Sequence, residues 1–281
     1  MAIRILHTPV EEELPAPSHV TIGAFDGVHR GHQRLIGLMT EMAHAAGRLS
    51  AVMTFDPHPG AVLGQRTVPT LSTIAERAVL LDEIGVDRLV VLRFTKAVAQ
   101  TPAIQFVEML RRDLRMVEVW MGPDFALGRE REGDVVHLRG IGQQRRFGVE
   151  VVPPLEWRGE VVSSSRIRSA LAAGDLEEAN GCLGRPYGVT GRVMAGQPAD
   201  RGAEHPAIEI ELPPGRLLPA AGPYVGQASI AARGLGSVMV DVPPHAPGAP
   251  HPATVQIYLT GEAPPSPGQG LEVRFIERLG R

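Results

Sequence analysis

The sequence predicts an α/β domain followed by a small all-β domain. Over residues 1–183, short apolar runs alternate with segments of helical periodicity, a pattern typical of a parallel sheet with helices on both faces. Over residues 184–281, proline and glycine become frequent and the apolar runs are short and alternating, which indicates an antiparallel barrel or sandwich. The 281 residues are enough for two such domains.

Each element of the first domain follows from its local pattern. Residues 31–47 carry apolar side chains at helical spacing and end at a glycine, so we expect a helix there. Residues 101–114 begin with a capping threonine and place a proline at the expected first helical position. We expect strands at 19–25, 49–55, 88–94, 116–122 and 148–155, helices at 31–47, 72–85 and 101–114, and one or two helices within 163–184.

The second domain is predicted to contain six strands. Each is a short run of β-type alternation bounded by proline, glycine or polar residues. The runs are "YGVTGRVMA", "AIEIEL", "YVGQASIAA", "SVMVDV", "ATVQIYL" and "LEVRFIERL".

The composition limits the classes of function. A net charge of −3 gives no bulk attraction to nucleic acid or to an anionic membrane. The single cysteine, Cys182, excludes an internal disulfide and a cysteine-based zinc site. Residues 1–19 lack the apolar core of a signal peptide, and no run approaches the length of a membrane span. We therefore expect a cytoplasmic protein without nucleic acid or membrane partners, whose oligomeric state the sequence does not predict.

The stretch "GAFDGVHRGH" over residues 23–32 lies where the first predicted strand meets a helix. Its glycines allow close backbone approach, and a helix N-terminus presents free N–H groups to an anion. His29 and His32 are three residues apart, so both can face one side and stabilise a phosphate that gains charge. Two other interpretations are open: the histidines cap the helix and contact water, or they bind a metal with His58.

A second cluster, "VVSSSRIRSAL" over residues 161–171, lies at another predicted helix start. Serines can cap this helix and bind phosphate oxygens, and Arg166 or Arg168 can form paired hydrogen bonds with a polyphosphate. By itself such a cluster is most often a capped amphipathic helix. Together with the histidine stretch it predicts a site that binds a nucleoside triphosphate.

These two clusters resemble the nucleotidyltransferases, and more narrowly the adenylyltransferase module of the bacterial bifunctional riboflavin kinase/FAD synthetase family. Residues 54–63 ("TFDPHPGAVL"), 121–134 ("MGPDFALGREREGD", with Leu127 in place of a Phe) and 171–193 resemble further segments of that family. The resemblance implies a Rossmann-like nucleotidyltransferase domain over 1–183 and a barrel resembling riboflavin kinase over 184–281. It also implies the reaction of FMN with ATP and Mg²⁺ to give FAD and pyrophosphate.

The resemblance assigns a role to each matching residue. His29 and His32 are implied to stabilise the α-phosphate, while Arg168, Ser164 and Ser165 hold the leaving pyrophosphate. The other implied nucleotide-binding residues are Gly23, Phe25, Asp26, Gly27, Asp124 and Arg166. The implied flavin-binding residues are Phe55, Asp56, His58 and Pro59. From the residues alone, 54–60 also fits a strand end with proline-fixed turns, and 128–134 a solvated charged loop.

The second domain departs from the family where the resemblance places kinase chemistry. Pro206 is kept, but Ala207 and Glu209 replace a threonine and an asparagine that hold Mg-ATP, and Gln256 replaces the catalytic glutamate. An amide cannot act as the general base for the riboflavin hydroxyl. The printed sequence also ends at "FIERLGR", without the closing helix that the resemblance implies. We therefore expect the barrel to lack riboflavin kinase activity and to serve packing or oligomerisation, or to bind flavin or nucleotide as a regulator.

Two alternatives to FMN adenylyl transfer are open at this point. The chain could be a nucleotidyltransferase that acts on a different phosphorylated acceptor. It could instead be a non-catalytic, flavin-binding regulatory protein. The two intact clusters favour an enzyme, because simple binding does not require both.

Overall fold

The computed structural model describes residues 3–8, 14–64, 68–194, 207–231, 233–244, 254–259 and 265–280. The chain divides into two compact units: a first unit within residues 1–68 and 74–162, and a second unit within residues 69–73 and 163–281. The boundary that the sequence suggests, between residues 183 and 184, falls inside the second unit.

The first unit is built on a six-stranded sheet in which every neighbouring pair is parallel, as the sequence predicts. The strands are β1 (Arg4–His7), β2 (Ser18–Ile22), β3 (Leu49–Asp56), β4 (Arg88–Arg93), β5 (Met116–Met121) and β8 (Gly148–Val151), in the order β1-β4-β3-β2-β5-β8. From β2 the chain first adds strands on one side and then, from β5 onward, on the other. The strand order therefore reverses at β2, and ligands of such sheets bind beyond the carboxyl ends of the strands at this point.

Helices cover both faces of this sheet, which confirms the predicted α/β architecture. They are α1 (Arg30–Ala45), α2 (Pro59–Val62), α3 (Ile74–Ile84), α4 (Lys96–Ala99), α5 (Ala103–Leu114) and α6 (Val135–Arg145). Strand residues alternate between two apolar clusters, since Val52 packs in one and Met53 in the other. The first cluster contains Ile36 of α1 and Leu81 of α3, and the second contains Leu110 of α5 and residues of α6.

Parts of the first unit differ from the sequence prediction. Helix α6 was not predicted, because its glycines Gly140 and Gly142 are poor helix formers. A Cβ at Gly142 would lie 2.8 Å from the Phe147 carbonyl oxygen, so a close backbone approach explains the glycine there. Pro102 occupies the N-cap of α5 instead of its first helical position. The sequence analysis also did not predict strand β1, helices α2 and α4, or a 3-10 turn (Arg129–Arg131). Four short strands were missed as well: β6 (Ala126–Leu127), β7 (Gly133–Asp134), β9 (Glu156–Trp157) and β10 (Glu160–Val161).

In its described residues, the second unit contains two helices and a closed barrel of six antiparallel strands, which decides between the predicted barrel and sandwich. The helices are α7 (Ser164–Ala173) and α8 (Leu176–Leu183). The strands are β11 (Tyr187–Val193), β12 (Ala207–Glu211), β13 (Gly222–Ile230), β14 (Arg233–Val242), β15 (Thr254–Leu259) and β16 (Gly270–Arg278), in the order β11-β12-β15-β14-β13-β16. All six predicted strands are confirmed. Tyr224 and Phe275 are fully buried in the unit, with their ring centroids 5.4 Å apart.

Candidate active site

The turn between β2 and α1 has an unusual backbone. Phe25, Gly27 and Val28 have φ values of 45°, 80° and 38°, in the left-handed region that residues with a side chain rarely adopt. The Gly23 N–H donates to the Met53 carbonyl of the neighbouring strand at 3.0 Å, which ties the turn to the sheet. The Phe25 side chain is buried in the core, and its ring lies at 82° to the His32 ring with the two centroids 5.1 Å apart. The turn therefore bends sharply at the carboxyl end of β2.

The structure brings the two predicted histidines together at the N-terminus of α1. Their rings are stacked, with centroids 3.5 Å apart and an angle of 19° between the planes. His29 is the N-cap, and its Nδ1 accepts a hydrogen bond from the His32 backbone N–H at 3.3 Å. Because that Nδ1 is an acceptor, neutral His29 carries its proton on Nε2. The capping interpretation thus applies to His29.

Gly31, between the two histidines, leaves room for this stacking. A Cβ at position 31 would lie 3.2 Å from Cε1 and 3.3 Å from Nδ1 of His29. Those separations are shorter than ordinary van der Waals contact, so a larger residue would push the His29 ring aside. The sequence analysis had explained the glycines of this stretch by close approach of the backbone to a phosphate. Gly31 has a second role, because it leaves space for the His29 ring.

The surroundings of His32 disfavour its charged form. Burial lowers the pKa of His32 well below its ordinary value, and the nearby charges of His29 and Arg77 lower it further. The Nδ1 of His32 is buried and has no hydrogen-bond partner among the described residues. At neutral pH the ring is therefore a neutral imidazole with one N–H to donate.

A buried ion pair behind the turn was missed by the sequence analysis. Arg77 of α3 lies 3.5 Å from Asp26, measured from Nη2 to Oδ1, and both side chains are buried. Nη1 of Arg77 also donates to the Ala24 carbonyl and to the Thr54 hydroxyl, each at 3.0 Å. The Asp26 carboxylate is therefore turned into the protein toward Arg77. An arginine in a helical pattern carries no local signal for such a contact.

The residues predicted to bind flavin lie at the carboxyl end of β3, the strand next to β2. Phe55 is half-buried, and its ring meets Phe94 edge to face with centroids 5.3 Å apart. Asp56 is exposed. His58 caps α2, with Nδ1 accepting from the Gly60 N–H at 3.1 Å, and Pro59 is the first residue of that helix. The strand-end interpretation of this segment therefore holds as well, and the flavin-binding roles stay a prediction.

Asp124 lies in the segment after β5, and its side chain is exposed. Its backbone carbonyl accepts a hydrogen bond from Arg131 at 2.8 Å. The charged segment 128–134 is more ordered than a solvated loop, because Glu132 accepts a hydrogen bond from the Ala103 N–H at 2.7 Å at the start of α5. Glu132 thus satisfies a free N–H of that helix.

In the second unit, the serine and arginine cluster forms the start of α7, as predicted. Ser163 is the N-cap, and its hydroxyl accepts from the Arg166 N–H at 3.2 Å. Ser164 and Ser165 are the first two helical residues. The Arg166 guanidinium pairs with Glu178 of α8, and the Arg168 Nε–H donates to the Pro69 carbonyl at 2.9 Å. Both predicted phosphate-binding arginines therefore make contacts within their own unit.

The barrel positions singled out by the sequence analysis, as far as the structure describes them, lie together on the outside of the barrel. Glu209 and Gln256 are directly opposite each other on β12 and β15, and Ala207 is opposite Tyr258. The Tyr258 hydroxyl donates to the side-chain oxygen of Gln256 at 3.2 Å. Pro206, the position that matches the family, lies outside the described residues.

Within the part of the chain that the structure describes, no three histidine, cysteine, aspartate or glutamate side chains lie close enough to hold a metal ion. The metal interpretation, in which His58 joins His29 and His32, would need a cluster of this kind. In the same described ranges, no helix is both long and apolar enough to cross a membrane.

Comparison with known families decides which class of enzyme this geometry belongs to. The sequence model described as FAD synthetase matches residues 11–166, more than half of the chain. The chain belongs to the FAD synthetase family. The expected enzyme class, a nucleotidyltransferase that makes FAD from FMN and ATP, is therefore confirmed at the level of the family.

Individual relatives agree with this FAD synthetase assignment. A bifunctional riboflavin kinase/FMN adenylyltransferase of Pseudomonas fluorescens is 36% identical over 75% of this chain and 68% of its own length. Proteins with the same description from Listeria monocytogenes and Bacillus subtilis are 34% and 32% identical, over 78% and 80% of this chain and 71% of each relative.

A crystal structure of a Streptococcus pneumoniae protein, described as a macrolide-efflux protein, has a TM-score of 0.86 at 25% identity and covers 98% of this chain and 90% of that one.

Proposed function

We propose that this FAD synthetase family member transfers the adenylyl group of ATP to FMN at the turn between β2 and α1. The observation that carries the proposal is the stacked pair of His29 and His32 at the N-terminus of α1. That pair lies where the order of the parallel strands reverses. A helix N-terminus with two imidazole donors suits an α-phosphate that gains negative charge during transfer.

In the proposed reaction, an oxygen of the FMN phosphate attacks the α-phosphorus of ATP. The bond from that phosphorus to the bridging oxygen breaks as the new bond forms, and pyrophosphate leaves. The protein supplies no nucleophile. His29 and His32 donate hydrogen bonds to the non-bridging oxygens of the α-phosphate. Catalysis is therefore positioning and charge stabilisation.

The other nucleotide-binding residues act in two ways in this proposal. Gly23 and Gly27 give the turn the shape in which its N–H groups reach phosphate. Phe25 and Asp26 are buried, so they support the turn from within and do not touch the nucleotide with their side chains. Asp124 is exposed and takes part in binding the nucleotide or the FMN phosphate. Mg²⁺ enters as part of the substrate Mg-ATP and is carried by the phosphates.

The leaving group and the acceptor have their own proposed residues. Ser164, Ser165, Arg166 and Arg168 bind the pyrophosphate through hydroxyl and guanidinium donors at the start of α7. Phe55, Asp56, His58 and Pro59 border the flavin. These roles rest on the family resemblance and on the position of each set at a helix start or a strand end.

We further propose that the barrel has lost riboflavin kinase activity. Gln256 replaces the glutamate implied as general base, and an amide has no basic lone pair for that role. Its side-chain oxygen also accepts a hydrogen bond from Tyr258. Ala207 lacks the hydroxyl implied for Mg-ATP binding. The cytoplasm is the proposed location, and the net charge of −3 supports small-molecule substrates without a nucleic acid partner.

The test incubates the purified protein with Mg-ATP and either FMN or riboflavin and resolves the flavins by chromatography. We expect FAD and pyrophosphate from FMN, and no FMN from riboflavin. His32→Ala serves as the control for adenylyl transfer. A variant carrying Ala207→Thr, Glu209→Asn and Gln256→Glu serves as the control for the barrel.

Each outcome has a definite meaning. No FAD from FMN would refute the acceptor assignment, and an exchange assay between ATP and pyrophosphate over other phosphorylated acceptors would follow. FMN formed from riboflavin would refute the loss of the kinase. Dependence on Mg²⁺ is checked by repeating the first reaction with EDTA in excess of the metal.

A further inference from the structure

A buried guanidinium lies behind the turn that precedes α1. The side chain of Arg77 is only 5% exposed, and that of Asp26 only 1%. Taking such charges out of water is costly, and replacing a buried ion pair by apolar residues is often neutral or stabilising. Stability alone therefore does not account for a charged pair at this place.

The guanidinium holds several groups of the turn and the sheet at once. It donates to the Ala24 carbonyl and to the Thr54 hydroxyl, and it faces the Asp26 carboxylate. Thr54 in turn donates to the same Ala24 carbonyl at 2.9 Å. A planar guanidinium holds its N–H donors in a rigid arrangement and can bind several partners at once. A lysine ammonium is a compact charge on a flexible side chain. The Ala24–Asp26 segment is thereby tied to α3 and β3.

The turn needs such support because its backbone is strained. Phe25 and Val28 both have positive φ, a conformation that is unfavourable for residues with a side chain unless the surroundings enforce it. The strained residues directly precede His29, whose side chain caps α1 and stacks on His32. A relaxed turn would move the N-cap histidine and the N–H groups of the turn together.

We propose that Arg77 is a positioning residue for adenylyl transfer, which fixes the 24–28 turn and thereby the place of His29. This inference rests on the proposed function of that turn. Arg77 touches no substrate and acts through the Ala24 carbonyl, Thr54 and Asp26. Its positive charge also contributes to the lowered pKa of His32, after burial and His29.

The experiment compares the same substitution at two buried arginines of the first unit. Arg77→Lys keeps the positive charge but loses the planar guanidinium that donates to both the Ala24 carbonyl and the Thr54 hydroxyl. Arg88→Lys is the matched control, because Arg88 is also buried but lies at the first residue of β4, the opposite end of the sheet. Both variants and the wild type are assayed as full chains for FAD formation from FMN and Mg-ATP, with thermal unfolding measured in parallel.

We expect kcat of Arg77→Lys to fall by about 10–100-fold, since misplacing catalytic groups by about 1 Å has effects of this order. KM for ATP should change by less than about threefold, because transition-state contacts are lost more than ground-state binding. Arg88→Lys should keep kcat within about twofold. A wild-type kcat in folded Arg77→Lys would overturn the proposal.

A second variant keeps the proposal testable if Arg77→Lys does not fold. Arg77→Met combined with Asp26→Asn removes both charges, so no uncompensated charge stays buried. We expect this variant to fold and to keep the reduced kcat. If it folds with full kcat, Arg77 is only a counter-ion and the proposal is wrong. Failure of the wild type itself to make FAD would instead refute the proposed function, which separates the two conclusions.

Discussion

The turn before α1 and the outer face of the barrel differ in how their functional positions relate to the fold. In the turn, His29 caps a helix and Asp26 is paired inside the protein with Arg77. On the barrel, Glu209 and Gln256 lie on the outside, while their neighbours Ile208 and Ile257 fill the interior. The residues of the turn have partners inside the protein, whereas those on the barrel lie outside its packed interior.

Because of this difference, the fold constrains substitutions in the two regions to different degrees. Changing a residue of the turn breaks a cap, a buried pair or a stacked ring, so the fold itself opposes the change. Changing an outward residue of a barrel strand leaves the alternating interior side chains in place. Outward-facing barrel residues can thus be replaced while the six strands and the closed barrel persist.

The largest expected effect is the loss of stability on breaking the buried pair of the turn. Asp26→Ala leaves Arg77 buried without its carboxylate partner, and we expect the free energy of unfolding to fall by about 3–5 kcal/mol. Chemical denaturation measures it. Glu209→Ala on the barrel is the matched control, with an expected change within about 0.5 kcal/mol. Equal losses in the two variants would remove the contrast between the regions.

The next effect concerns catalysis by the turn. His32→Ala removes one donor to the α-phosphate, and we expect FAD formation to fall by about 10²–10³-fold, the usual cost of losing one such donor. The rate is measured from FMN and Mg-ATP at saturating substrate. Thermal unfolding of the variant should confirm that it folds. Activity within a few-fold of the wild type would exclude His32 from the reaction.

A smaller effect is expected in the pH dependence of stability. Burial, His29 and Arg77 hold the pKa of His32 well below its ordinary value of 6.5, so the folded chain favours the neutral ring. As pH falls below 6.5, the unfolded chain binds a proton that the folded chain resists, and the free energy of unfolding decreases toward the lowered pKa. Urea unfolding between about pH 7.5 and 5.5 is compared with that of His32→Gln. The difference between the two proteins should shrink as the pH falls, and a constant difference would contradict the shifted pKa.

The smallest effect is expected on the barrel. Gln256 lies opposite Glu209 on one side and Asp241 on the other, so Gln256→Glu would place three carboxylates in a row. We expect it to cost about 0.2–1 kcal/mol, and adding Glu209→Asn to recover part of that loss. Thermal unfolding of the single and double variants checks this. Absence of any recovery would show that Glu209 and Gln256 do not depend on each other.

The elements that the sequence predicts well are those with a local signal. Periodicity predicted five of the six parallel strands, three helices of the first unit and all six barrel strands. Ser163 was expected among the residues that cap α7, and it is the N-cap. The spacing of His29 and His32 predicted that they face one side, and the family resemblance directed the chemistry to FAD synthesis, which the family match confirms.

Contacts between residues distant in the chain were decided by the tertiary structure alone. Arg77 reaches Ala24, 53 residues earlier, and Glu132 reaches the start of α5 at Ala103, 29 residues earlier. From the sequence, the glycines of α6 argue against a helix. The structure explains Gly142, because the backbone of Phe147 packs too close to it for a side chain. The sequence by itself determined most of the longer strands and helices and the candidate residues for the chemistry, because periodicity, capping and residue type are local. Only the folded chain shows which buried charge holds which turn, because that pairing depends on how separate elements pack.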